Sequence, residues 1–134
     1  MFDITFFAPY CLIAGRVLIG FYFFFFVFWN SYHWRPTLDV MHQQCIPFAF
    51  PLLIFGICFQ GITGLFIMLA TYTAYAAALL VVFDVFATFV FHRFWTMESG
   101  PARTLNTIIF IGNLTVTLGG LLLLVGLEAA MLQH

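Results

Sequence analysis

Four stretches of this chain are each long and apolar enough to cross a bilayer, and they leave little sequence between them. A crossing helix needs about 20 mostly apolar residues to span roughly 30 Å of hydrocarbon. The windows Ala8 to Trp29, Ile46 to Leu69, Tyr72 to His92 and Leu105 to Leu127 meet that requirement. Within hydrocarbon every backbone N–H and C=O must be paired inside the protein, so a spanning segment is either a helix or a strand of a closed barrel. These lengths suit helices. The expected fold is therefore all-α, a polytopic membrane protein built as an antiparallel four-transmembrane-helix bundle, with residues 1–134 as one domain.

Composition agrees. The 134 residues are 64% hydrophobic and 7% charged, against roughly 25% charged in soluble globular chains. Lysine is absent, net charge is −1, and no basic run is present, which argues against nucleic acid or a strongly anionic lipid surface as a partner. The first window has neither a basic leader nor a small-residue cleavage site and carries Arg16 in its middle, so it reads as a retained helix and not as a secretory signal. Cys11, Cys45 and Cys58 form no C-x-x-C pair, which gives poor support to dithiol redox chemistry.

The breaks between windows follow turn chemistry. The first connection, Asn30 to Cys45, contains Trp34-Arg35-Pro36 and a polar Met41-His42-Gln43-Gln44 run, and Pro47 and Pro51 stand in the opening turns of the second helix, where proline is tolerated. The second, around Ala70 and Thr71, is short enough to demand a tight antiparallel hairpin. The third, Arg93 to Thr104, contains the turn signal Ser99-Gly100-Pro101. Arg35, Arg93 and Arg103 all fall on the connecting face, which the positive-inside bias would place in the cytoplasm with both termini outside.

Arg16 and Asp84 are the costly residues, because an ionisable group at mid-membrane depth is expensive without a partner or a use. Counting about 1.5 Å per residue from the terminal face puts Arg16 about 12 Å deep, Gln60 about 15 Å, Asp84 about 18 Å and Asn113 about 21 Å. That spacing predicts one central polar layer. Each residue also sits on a stripe of small or polar neighbours at helical spacing: Gly56, Gln60 and Gly64; Ala77, Asp84 and Thr88; Asn106, Asn113, Thr117 and Gly120. Small residues let helices approach and polar ones bond across the contact. Two roles are open. Arg16 and Asp84 pair and, with Gln60 and Asn113, offer polar groups to a ligand head group or a proton, or all four only hold the helices together.

At the boundary, His92-Arg93-Phe94-Trp95 closes the third helix, and Trp29, His33 and Trp34 close the first. Tryptophans there anchor a helix at the interface. His33, His42 and His92 lack the paired helical spacing of a preformed metal site, so no metal ligand is assigned.

The segment Phe89-Val90-Phe91-His92-Arg93-Phe94-Trp95, followed by Phe110-Ile111-Gly112-Asn113-Leu114 and Leu118-Gly119-Gly120-Leu121-Leu122-Leu123, resembles the signature of the DoxX family of small four-helix membrane proteins. Arg16-Val17-Leu18-Ile19-Gly20 resembles that family's opening, and Phe59-Gln60-Gly61-Ile62-Thr63-Gly64-Leu65 its glycine-rich second helix. The chain departs from the family pattern at Asn30 and Gly112, where lysines are usual, and at Gln60, where glutamate is usual. The resemblance implies an inner-membrane subunit of a quinone-linked redox assembly, of the thiosulfate:quinone oxidoreductase or oxidative-stress kind, with quinone as the implied ligand and a redox subunit or second copy as partner.

The sequence thus leads to a ligand-binding set of Arg16, Gln60, Asp84 and Asn113, and a boundary set of His92, Trp95, Glu98 and Arg103 facing a partner or polar substrate. No catalytic residue is assigned, because no cofactor motif is present and such a subunit would not be an enzyme by itself. The competing readings are a non-catalytic membrane scaffold or chaperone, and a carrier for a small solute.

Overall fold

The computed structural model describes residues 1–133, and among these the chain is all-α. Helix α1 (Ala8–Tyr32) follows a 3-10 turn at Ile4–Phe7 that Asp3 caps. It leads into α2 (Trp34–Gln43), α3 (Ala49–Met68), α4 (Thr73–Phe91) and a 3-10 turn at Phe94–Thr96. Helices α5 (Pro101–Gly112) and α6 (Leu118–Met131) are joined by a π-helical turn at Asn113–Thr117, so the last span runs unbroken from Pro101 to Met131. Four helices are long and apolar enough to cross a membrane: Ile4–Tyr32, Ala49–Met68, Thr73–Thr96 and Pro101–Met131. The chain is a multi-pass membrane protein of antiparallel helices.

Two elements differ from the sequence expectation. The first connection is mostly helix, because Pro36 falls in the first turn of α2, where its missing N–H is not needed. Trp34, Leu38 and Met41 recur on one face of α2 and pack with Ala49, Leu53, Ile57 and Phe91, while Arg35, Asp39 and His42 are exposed. A short helix of that pattern suits the plane of the membrane interface. The last span also starts earlier than Leu105, since Pro101 directly after Gly100 opens the helix instead of only marking a turn.

Helices α2 and α3 stop in the same way. The Ile46 N–H bonds to Met41 O and the Cys45 N–H to His42 O, and after α3 the Thr71 N–H bonds to Phe66 O and the Ala70 N–H to Ile67 O. Each pattern is a Schellman motif. Cys45 and Ala70 occupy the left-handed position, at φ 56° and 57°, that glycine usually fills. This geometry makes the α3–α4 hairpin as tight as the sequence requires.

Packing is strongest between α1 and α3 and next between α4 and the α5–α6 span, and contact between α1 and α6 is sparse. On α1, Gly20, Phe23, Val27 and Asn30 recur at alternating steps of three and four and face α3 in antiparallel order. A Cβ on Gly20 would stand 2.6 Å from Gly64 O, and one on Gly64 would stand 2.7 Å from Gly20 O. The two backbones therefore touch, as small residues allow in membranes. Between the pairs lies a core of Phe23, Ile67, Ala77, Leu80, Leu121 and Leu124. Phe21, Phe25, Phe28, Phe55, Phe86 and Leu123 point outward, as a lipid-facing surface requires.

Candidate functional site

Three polar contacts tie helices together, and each is satisfied within the chain. Asn30 Nδ2 donates to Gln60 Oε1 at 3.4 Å, joining α1 to α3. Asn113 Nδ2 donates to Thr88 Oγ1 at 3.1 Å, joining the π turn to α4. His92 Nδ1 meets Asn106 Oδ1 at 2.9 Å, joining the end of α4 to α5. The Asn106 amide is oriented by its own Nδ2, which donates to Ala102 O at 2.9 Å. Its Oδ1 can only accept, so the His92 ring donates from Nδ1 and Nε2 is left without a partner in this contact.

Arg16 and Asp84 are not satisfied in this way. Asp84 is 5% exposed, and its Oδ2 and Arg16 Nε are buried with no hydrogen-bond partner. The expected Arg16–Asp84 ion pair does not form in this structure. Arg16 continues the α1 seam one turn before Gly20, and Gly20 already meets Met68, the last residue of α3. Arg16 therefore reaches the level of the α3–α4 turn. Asp84 lies deeper, on the buried stripe Leu80, Asp84 and Thr88 of α4.

Arg16 alone stands apart from the expected layer: Gln60 follows Phe59, whose ring packs 5.5 Å from that of Phe83 beside Asp84. Gln60 is held by Asn30, which stands fourteen residues beyond Arg16 on α1, about 21 Å along the axis. Counting depth from helix ends missed this because α1 begins well before the level at which α3 ends. Asp84 and Asn113 do come together, since Asn113 bonds to Thr88, one turn from Asp84.

Two residues outside the sequence-predicted ligand set belong to this site. Tyr22, on α1, lies near Asp84 and Thr117. Near it, Ile19 touches Gly120 across the same α1–α6 seam; a Cβ on Gly120 would stand 3.6 Å from Ile19 Cδ1. Thr88 is 1% exposed and receives Asn113. The sequence places it only on the α4 stripe. The π turn could not be read from the sequence, yet it is what presents Asn113 and Thr117 together; such turns occur often at functional sites.

In the boundary set, Trp95 packs against Phe89, Phe94 and Phe110 with ring centroids 5.3 to 6.2 Å apart. Glu98 is exposed, and Arg103 lines a shallow cleft of about 340 Å³ with Ser99, Thr104 and Thr107. His92 is not among the residues that line this cleft. His33 stacks on Trp29 at 4.1 Å and its Nδ1 lies 3.0 Å from Trp29 O, within its own helix. Outside the spans, the Asp3 carboxyl is held below its ordinary pKa by the Thr5 hydroxyl and then by the Thr5 backbone N–H.

No protein-family model, curated protein or solved structure matches the chain. The functional reading therefore rests on the residues themselves. A carboxyl, a phenol and a threonine hydroxyl gather where α4 and α1 meet the π turn, and the Arg16 guanidinium stands apart near the α3–α4 turn. Such a set can hydrogen-bond a carbonyl or hydroxyl and can hold a proton.

Proposed function

We propose that the chain is the integral subunit of a quinone-linked redox assembly in an inner (plasma) membrane, and that it binds the polar head of a quinone-type ligand between α1 and the α5–α6 span. The observation that carries this reading is the contrast in satisfaction. The contacts that join helices are complete, while Arg16 Nε and Asp84 Oδ2 are buried and bare. Assembly needs only neutral polar contacts, and a buried ionisable group with no partner is costly unless something else engages it. The loose α1–α6 seam gives a lipid-soluble ring a lateral way in from the bilayer.

Arg16 can donate to a head-group carbonyl; Asp84 stands twelve residues past Tyr72, about 18 Å deeper along the bundle, and with Tyr22 offers donors and acceptors to a separate polar group. Bound quinone would supply the two-electron, two-proton carrier chemistry, and the partner subunit would supply or take the electrons. The resemblance of the His92 and Asn113 segments to the DoxX signature points to the same class.

The test is native mass spectrometry of the protein released gently from its host membrane, together with the Arg16→Gln variant. A quinone bound to the wild type and lost from Arg16→Gln, with helicity retained, supports the reading. Equal quinone occupancy in both defeats it. A chain carrying only phospholipid supports the second reading, a membrane scaffold, which the completed Asn30–Gln60 and Thr88–Asn113 contacts favour.

A further inference from the structure

Asp84, Thr88 and His92 stand one helical turn apart on α4, and two of the three are paired with amides of the last span. The Thr88–Asn113 and His92–Asn106 contacts, at 3.1 and 2.9 Å, form two polar rungs between mid-membrane and the connecting face. Asp84 ends the series, 5% exposed and with Oδ2 unbonded. We propose that Asp84 is an intramembrane proton-binding carboxyl, filled from the connecting face through this ladder. The ion involved is a proton taken from water; Asp84 passes between carboxylate and carboxylic acid, and no electron moves.

Three arguments lead to this. First, among the described residues no cation comes within ion-pair distance of Asp84, and a lone carboxylate buried at mid-membrane carries a desolvation penalty of several kcal/mol. The neutral acid avoids that penalty. Tyr22 approaches from α1, where Arg16 lies nearer the terminal face; α3 carries no charged side chain; and Glu128, the acid of the last span, is eleven residues past Thr117, about 16 Å along the axis.

Second, the rungs are spaced for transfer. Groups at i and i+4 stand about 5 to 6 Å apart, a gap one hydrogen-bonded water bridges. Because Thr88 Oγ1 accepts from Asn113, the Thr88 hydroxyl proton remains free to donate one turn back, where Asp84 stands. Third, the outer end is an imidazole, which can take a proton at one ring nitrogen while releasing one from the other. His92 is half-buried at the boundary, with Nδ1 engaged to Asn106 and Nε2 outside that contact. The inference needs no bound quinone, so it stands or falls separately from the redox reading.

The experiment is infrared spectroscopy of the full chain in lipid nanodiscs during exchange into D2O. At neutral pH a protonated-carboxyl C=O band is expected, absent from Asp84→Asn and present but displaced in Asp84→Glu. The second variant covers the case in which Asp84→Asn fails to fold. The isotope shift of that band is expected to slow by about 100-fold in His92→Phe, the low end of what a positioned proton-transfer group contributes. A neutral-pH spectrum in which no such band depends on residue 84 overturns the proposal. So does an exchange rate unchanged in His92→Phe.

Discussion

Helices α1 and α3 are held together by backbone contact, whereas α4 and the α5–α6 span are held by side-chain rungs. The first pair meets through Gly20 and Gly64, with one long polar contact, Asn30 to Gln60, at its end. The second meets through Thr88–Asn113, His92–Asn106 and the ring cluster of Phe89, Trp95 and Phe110. Close packing gives strength without chemistry, because the groups in contact are glycine backbone and aliphatic carbon. Rungs give less strength per contact in membranes, averaging about 0.6 kcal/mol, but they place donors and acceptors where a ligand or proton can use them. The unsatisfied atoms fall near the seam that closes the two pairs against each other.

The largest effect is expected where the backbones touch. Gly64→Ala brings a methyl within 2.7 Å of Gly20 O and should lower stability by about 1–3 kcal/mol. Gly56→Ala, whose added carbon meets only Phe83 at 3.7 Å, should be near neutral. Reversible unfolding in mixed micelles reads both, and equal losses would show that the glycine contact is not what joins the first pair.

Removing the bare carboxyl is expected to act in the opposite direction. Asp84→Leu should leave stability unchanged or raise it by about 1 kcal/mol, since it replaces a buried polar group that lacks a partner with apolar volume. A clear loss in the same unfolding measurement would mean that Asp84 is structural. On the rung below, Thr88→Val deprives Asn113 of its acceptor and should cost about 0.6 kcal/mol, up to about 1.7. A cost as large as that of Gly64→Ala would erase the distinction between the two pairs.

The smallest effect lies at the chain's start. The Asp3 carboxyl caps the Ile4–Phe7 turn and its pKa is depressed, so its contribution is present above the ordinary value of 3.8 and is lost as pH falls through the lower folded value. Amide exchange at Thr5 should quicken across that acid range while the spans stay protected. The Asp3→Asn variant should show no such step.

The spans were legible in the sequence because hydropathy is additive along a chain and needs no knowledge of neighbours. The lipid-facing phenylalanines and the tight turn at Ala70 and Thr71 were legible for the same local reason. Helix α2 was masked by Pro36, whose breaking signal does not apply in a first turn. The boundary histidine and tryptophan motif was visible, but its partners Asn106 and Phe110 come from a different helix.

The amino-acid sequence by itself determined that this protein is a bundle of four membrane helices with Asp84 at depth, since apolar length and charge are properties of single segments. Only the tertiary structure decided which polar residues meet. That choice depends on the stagger between helices, which Gly20 and Gly64 set for α1 and α3, and on the π turn at Asn113–Thr117, which turns Asn113 toward Thr88. Register between helices is fixed by side-chain fit across the contact, and no single segment contains that information.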